Sequence, residues 1–122
     1  MAYKDFTQLP IWQKGLSLLT TVYDITDKFP KREKYGMTSD MRRSANSVCH
    51  NFSEGYGRYE RKDKTRFYKI ARGSSYELIS QSNACYALRY ISKNEMDLLI
   101  DGYKQIINEF DSLIKTVETR PE

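Results

Sequence analysis

Histidine and cysteine are scarce in this 122-residue chain, which excludes several kinds of site. His50 is the only histidine, and the two cysteines are Cys49 and Cys85. Their spacing matches neither a zinc-binding motif nor the disulfide framework of a small secreted protein. Adjacent residues on a helix point about 100° apart, so Cys49 and His50 are not expected to form a catalytic pair. We predict two buried, reduced thiols and no metal or cofactor site.

Long apolar segments are also missing. No run of apolar residues approaches the roughly 18 that a membrane span requires. The first residues, MAYKDFTQLPIWQK, lack the apolar core of a secretory signal peptide. These two absences predict a cytoplasmic protein that does not enter a membrane.

Proline occurs only at positions 10, 30 and 121, which leaves most of the chain free of the strongest helix breaker. Apolar residues recur at steps of three and four, and no segment shows the alternation of a strand. The pattern predicts helices over about 8–28, 38–54 and 61–90, and a fourth helix that begins at Ser92. Short connections make neighbouring helices antiparallel, so we predict an all-α, up-down-up-down four-helix bundle in a single domain, residues 1–122.

The fourth helix carries an unusually broad apolar stripe. Beside its main seam it has three further isoleucines, Ile100, Ile107 and Ile114. A helix that is apolar over more than one face lies deep in a core or meets a second subunit. We predict that these three isoleucines form an oligomer interface.

Glycines and polar residues mark the corner between the second and third helices. Gly55 is predicted to be a left-handed residue that ends the second helix. Gly73 lies within the third helix, where glycine costs about 1 kcal/mol relative to alanine, and close packing against the second helix is the predicted compensation. Arg43 is predicted to pair with Glu77 across this seam. The residues assigned to this structural network are Arg43, Asn51, Glu54, Gly55, Gly73, Ser74 and Glu77.

Positive charge is concentrated in the same part of the chain. Residues 36–72 carry nine basic and four acidic side chains, whereas residues 73–122 carry five basic and eight acidic ones. Seven cations follow the second helix: Arg58, Arg61, Lys62, Lys64, Arg66, Lys69 and Arg72. Cations in the first turns of a helix oppose its dipole, and a bound anion would relieve that. Tyr56, Tyr59 and Tyr68 lie among them and could stack on unpaired bases.

Two segments resemble a known family. MRRSANSVCHNFSEGYGR (41–58) and RFYKIARGSSYEL (66–78) are similar to the small bacterial proteins called four helix bundle proteins or 23S rRNA intervening sequence proteins. The resemblance implies an up-down bundle, a homopentamer and no established catalytic residue. Distant relatives, the accessory proteins of diversity-generating retroelements, are basic bundles that bind nucleic acid and a reverse transcriptase.

Two functions remain open at this point. The first is an oligomer that binds RNA or single-stranded DNA weakly through the basic corner, where several patches would act together. The second is a protein-interaction or assembly module whose basic patch docks an acidic partner. Asn51, Glu54, Arg58 and Glu77 are of types that could be catalytic. An enzyme is not predicted, because no second carboxylate, histidine or metal cluster accompanies Glu54, and the sequence does not place a proton carrier or nucleophile in a pocket.

Overall fold

The computed structural model describes residues 2–121, and that part of the chain contains four α-helices and no strand. Two single turns of 3-10 helix, Phe6–Gln8 and Lys31–Glu33, precede the first and second α-helices. The four α-helices are α1 (Pro10–Thr26), α2 (Met37–Tyr56), α3 (Arg61–Ala87) and α4 (Lys93–Thr119). The prediction of an all-α four-helix bundle is therefore confirmed. No described helix is both long enough and apolar enough to cross a membrane.

The helix starts follow local chemistry. Pro10 occupies the first turn of α1, where its missing N–H has no partner to lose. At α4, the Ser92 hydroxyl accepts from the Glu95 N–H at 3.1 Å, and the Glu95 carboxylate accepts from the Ser92 N–H at 2.9 Å. This capping box lies where the sequence predicts it. α2 begins slightly earlier than predicted, because the Glu33 carboxylate accepts from the Met37 N–H at 3.0 Å.

Each helix packs against its neighbours in the chain, and α1 also packs against α4. Residue numbers fall on one helix as they rise on the next, which is the order of antiparallel neighbours. The side-chain pairs that show it are Arg43 with Glu77 and Ser47 with Ser74 between α2 and α3, and Lys69 with Glu118 and Arg72 with Asp111 between α3 and α4. One end of the bundle therefore gathers the starts of α1 and α3 and the ends of α2 and α4. We call this the terminal end.

An aromatic cluster fills the core near the terminal end. The rings of Phe52 and Tyr68 stack with centroids 5.8 Å apart, and Phe110 lies 6.2 Å from both. Tyr56 covers the cluster, with its ring 5.9 Å from that of Phe52. Phe52, Tyr68 and Phe110 are at most 2% exposed. Large aromatic rings bury much apolar area, so this cluster joins α2, α3 and α4.

In two helices, a large apolar residue one or two positions from a buried one stays partly exposed. In α1, Leu18 is buried and Leu16 is 38% exposed. In α3, Tyr68 is buried and Phe67 is only half-buried. The prediction that Tyr68 is a base-stacking residue is therefore wrong, because its ring belongs to the core.

The predicted oligomer interface on α4 is also wrong for two of its three residues. Ile107 and Ile114 are 6% and 8% exposed, whereas Ile100 is half-buried. α4 packs against both α3 and α1, so its broad stripe is covered within a single chain. The breadth of the apolar face on α4 is therefore explained by burial within the bundle.

The roles of the two glycines differ from those predicted. No described glycine has a positive φ, and α2 continues through Gly55 to Tyr56, so Gly55 is not a left-handed C-cap. A Cβ at Gly55 would lie 2.7 Å from Tyr68 Cε1 and 2.9 Å from the Lys64 carbonyl oxygen. A Cβ at Gly73 would meet no atom within 4 Å. The close approach of α2 and α3 is therefore at Gly55, and Gly73 faces outwards.

Candidate nucleic-acid interface

A polar seam runs along the outer side of α2 and α3. The Arg43 guanidinium lies 2.9 Å from the Glu77 carboxylate, the pairing expected from the sequence. The hydroxyls of Ser47 and Ser74 are 2.7 Å apart, and the Asn51 amide donates to the Ser47 hydroxyl at 2.9 Å. Each of these polar groups has a partner from the chain itself. The seam therefore fixes the register of α2 against α3.

The side chain of Lys64 caps the C-terminal end of α2. Its ammonium donates to the Tyr56 carbonyl oxygen at 2.8 Å and to that of Gly55 at 3.4 Å. These carbonyls end a helix, where a cation is favourable. Burial, and then the nearby charges of Arg120 and Lys4, lower the pKa of Lys64. A cation early in α3, unfavourable for α3 itself, thus stabilises the preceding helix.

The predicted cations do not form one continuous patch, because four of them have carboxylate partners. Lys69 and Arg72 point to α4, where they pair with Glu118 and Asp111. Within the corner, Arg58 pairs with Glu54 at 3.2 Å and Arg66 with Asp63 at 3.9 Å. Arg61 and Lys62 begin α3, Arg61 half-buried and Lys62 exposed. Exposed pairs of this kind are weak and leave the cations able to exchange partners.

The aromatic residues of the corner differ in how accessible they are. Tyr59 is 79% exposed, whereas Tyr56 is half-buried against the core. Phe67 lies beneath two guanidinium groups, with Arg58 4.8 Å and Arg66 4.4 Å from its ring centroid. Tyr59 is therefore the ring of the corner that is most available to stack on a ligand.

Two grooves flank the corner and differ in charge. A groove of about 600 Å³ on the α2–α3 side is lined by three carboxylates, those of Glu54, Glu60 and Asp63, together with His50. A cleft of about 640 Å³ at the terminal end has no Asp or Glu among the residues 2–121 that line it. Its charged and aromatic residues are Tyr3, Lys4, Tyr56, Arg58, Tyr59, Lys64 and Arg120. We call it the basic cleft.

The basic cleft includes three residues that sequence reasoning missed, namely Tyr3, Lys4 and Arg120. Tyr3 is 75% exposed, and Lys4 and Arg120 are also exposed. They lie near opposite ends of the chain, so no local motif links them. The up-down order alone could have placed them together, because it brings the start of α1 and the end of α4 to the same end of the bundle.

The remaining chemistry of the chain is sparse. Burial raises the pKa of the Cys49 and Cys85 thiols to about 11, so both are protonated near neutral pH. Within residues 2–121, no group of three His, Cys, Asp or Glu side chains could hold a metal ion.

Comparison with known proteins identifies the family. The family model for the 23S rRNA-intervening sequence protein matches residues 7–112. The chain belongs to this family. Among solved structures, it is similar to a protein of unknown function from the S23 ribosomal protein family of Bacteroides thetaiotaomicron. The TM-score is 0.80 and the identity 19%, over 87% of this chain and 99% of that one, a likeness that concerns the fold. No curated protein matches the chain.

Proposed function

We propose that this protein of the 23S rRNA-intervening sequence family binds RNA or single-stranded DNA without sequence preference, through the basic cleft. The observation that carries the proposal is the lining of that cleft: within the described part of the chain it comprises four cations, three tyrosines and no carboxylate. Cations that follow a phosphate backbone and rings that stack on bases are the two elements of sequence-tolerant single-strand binding. The proposed setting is the cytoplasm, and no catalytic step is part of the proposal.

The cations of the cleft are close enough to disfavour one another. Burial is the main cause of the lowered pKa of Lys64, and the charges of Arg120 and Lys4 add to it, so each of these two cations repels Lys64. A phosphate bound among them would remove that repulsion and release counterions from the strand. A single cleft contacts few phosphates, so weak binding is expected from one subunit.

The first test asks whether the cations of the basic cleft contribute to RNA binding. We expect labelled U20 RNA, followed by fluorescence anisotropy, to bind with an affinity that falls as salt rises, with a log-log slope of about −0.7 per phosphate neutralised. Replacing Lys4 and Arg58 together by alanine should reduce that slope by about 1.4. The matched control replaces Lys104 and Lys115, exposed cations of α4 that do not line the cleft, and should leave the slope unchanged. Equal losses in both double variants, or no dependence on salt, would contradict the proposal.

The second arm of this test separates nucleic acid from an acidic protein partner. Tyr59→Ala should weaken RNA binding by about 1–3 kcal/mol if the ring stacks on a base. Tyr35, 87% exposed in the connection between α1 and α2, is the control, and Tyr35→Ala should have no effect. Salt-dependent RNA binding that Tyr59→Ala leaves intact would contradict base stacking by this ring. Failure of U20 to bind at all would favour the alternative, an assembly module that recognises acidic protein surfaces.

We also propose that the protein is a homo-oligomer, with the outer face of α3 as its contact. Ile70 and Tyr76 are 44% and 51% exposed on this face, and Gly73 lies between them. Among the described residues, apart from its neighbours in α3, no atom lies within 4 Å of a Cβ built at Gly73, so close packing there does not offset the helix cost of this glycine. A closely approaching second subunit would give the glycine a role. Several basic clefts in one particle would bind a strand multivalently.

Multi-angle light scattering tests the oligomer. We expect a mass several times the 14.4 kDa of one chain, and about five times if the family resemblance extends to subunit number. Gly73→Glu should reduce the mass without loss of helix, because the new side chain has no neighbour within its own chain. Asn108→Glu, at an exposed position of α4, makes the same change of charge and should leave the mass unchanged. A monomeric wild type, or an unchanged mass for Gly73→Glu, would contradict this interface.

A further inference from the structure

A third, mainly apolar cavity opens beside the basic cleft. Its volume is about 380 Å³, within the range of small-molecule sites. The walls come from the start of α1, the aromatic cluster and the last turns of α4, with Leu9, Phe52, Tyr68, Leu113 and Val117 as its main apolar surface. A solvent-accessible apolar concavity of this size in a small bundle is a candidate ligand site.

Two charged residues of opposite sign line this cavity at positions far apart along the direction of α4. Arg120 lines it and belongs to the last residues of the described chain, and Glu109 lines it eleven residues earlier. With a rise of 1.5 Å per residue, their Cα atoms are about 16 Å apart along the helix direction. Leu113 and Val117 lie between them, one helical turn apart, so an apolar floor separates the cation from the carboxylate.

The polar groups at the Arg120 side are suited to an anion. Lys64 also lines the cavity, and its charge and that of Arg120 repel. Burial raises the pKa of Tyr68 to about 12, so its hydroxyl remains a donor near neutral pH. At the other side, the Glu109 Oε2 atom is buried and has no hydrogen-bond partner among the described residues. That carboxylate repels an anionic group and therefore gives the cavity a direction.

We propose that this cavity binds a small amphipathic carboxylate, with its head at Arg120 and Lys64 and its apolar body over Leu113 and Val117. This site shares Lys64 and Arg120 with the basic cleft, but its apolar surface is separate and plays no part in holding a phosphate backbone. The ligand class follows from the three properties of the site: its apolar floor, its cationic mouth and a carboxylate at the far side that admits only one orientation.

Isothermal titration calorimetry with decanoate as the probe tests the proposal. We expect saturable binding of decanoate and at least tenfold weaker binding of decylammonium, which has the same chain and the opposite charge. Arg120→Glu should weaken decanoate binding about tenfold or more. The matched variant is Lys115→Glu, which changes an exposed cation of α4 outside the cavity and should leave binding unchanged. Equal affinity for the two probes, or equal effects of the two variants, would overturn the proposal.

A variant whose larger side chain fills the cavity provides a second, independent test. Leu113→Trp places a larger side chain in the cavity and should abolish decanoate binding, whereas Leu98→Trp, at a 53% exposed position of the same helix, should not. Thermal melting verifies that both variants fold. U20 binding should survive Leu113→Trp, so loss of decanoate alone supports this site and loss of RNA alone concerns the basic cleft. Decanoate binding that persists in folded Leu113→Trp, or binding of GMP in place of decanoate, would overturn the proposal.

Discussion

Gly55→Leu is expected to lower the free energy of unfolding by about 3 kcal/mol or more, the upper part of the range for overpacking. A Cβ at this position lies 2.7 Å from Tyr68 Cε1 and 2.9 Å from the Lys64 carbonyl oxygen. A flexible side chain could move away, but the second of these atoms is backbone and the first belongs to a ring of the aromatic cluster. The substitution must therefore push α2 and α3 apart where the cluster holds them together.

Gly57, two residues further on, is the matched control. Its φ is −81°, which any residue adopts, and a Cβ there would be 3.6 Å from the nearest atom, the Ser53 carbonyl oxygen. Gly57→Leu should change stability by no more than about 0.5 kcal/mol, as expected for a surface position. Urea unfolding at one fixed protein concentration measures both variants. Equal stabilities would show that α2 and α3 have room at Gly55.

The contrast between Gly55 and Gly73 shows where sequence reasoning reached its limit. A glycine within a helical pattern indicates either a close approach or a chain reversal, and the pattern itself does not distinguish them. Gly73 was assigned the close approach because it lies within a helix, and Gly55 the reversal because it lies near an end. The choice depends on which residues face the neighbouring helix, and a shift of one residue turns a helix face by about 100°.

Other parts of the fold follow directly from local chemistry. The Ser92–Glu95 capping box and the position of Pro10 depend only on neighbouring residues, and both are found where predicted. The number of helices was predictable for the same reason, because three- and four-residue steps continue over long segments. Exact burial was less predictable, as Leu16 and Leu18 both fit a helical stripe and only packing selects Leu18.

The candidate site was only partly predictable because its residues come from distant segments. Local counting found the cations between Arg58 and Arg72, but two of these cations have carboxylate partners in a distant segment. Asp111 and Glu118 on α4 neutralise two of them. Lys4 and Arg120 were invisible to a local count, and they became part of the site only through the arrangement of the helices. Clusters of charge in a sequence thus indicate a region, while tertiary pairing decides which charges remain available.

Phe110→Ala is expected to cost about 3–5 kcal/mol of stability, the range for removal of a buried aromatic side chain. Phe110 is fully buried, and its ring lies 6.2 Å from those of Phe52 and Tyr68. Alanine would remove the contribution of α4 to the aromatic cluster. The cluster cannot readily close around the space, because Gly55 already holds Tyr68 tightly against α2. The melting temperature should fall by more than about 10 °C for a domain of this size.

Tyr86→Ala tests whether the loss comes from burial and not from removal of any large ring. Tyr86 is 43% exposed near the end of α3, and its replacement should change stability by about 0.5 kcal/mol or less. Both variants should retain the helical circular dichroism of the wild type at low temperature. The urea midpoint should fall strongly for Phe110→Ala alone, with an unchanged slope, because the unfolded chain exposes nearly the same surface. A loss below about 1 kcal/mol for Phe110→Ala would mean that the three aromatic rings do not form the centre of the core.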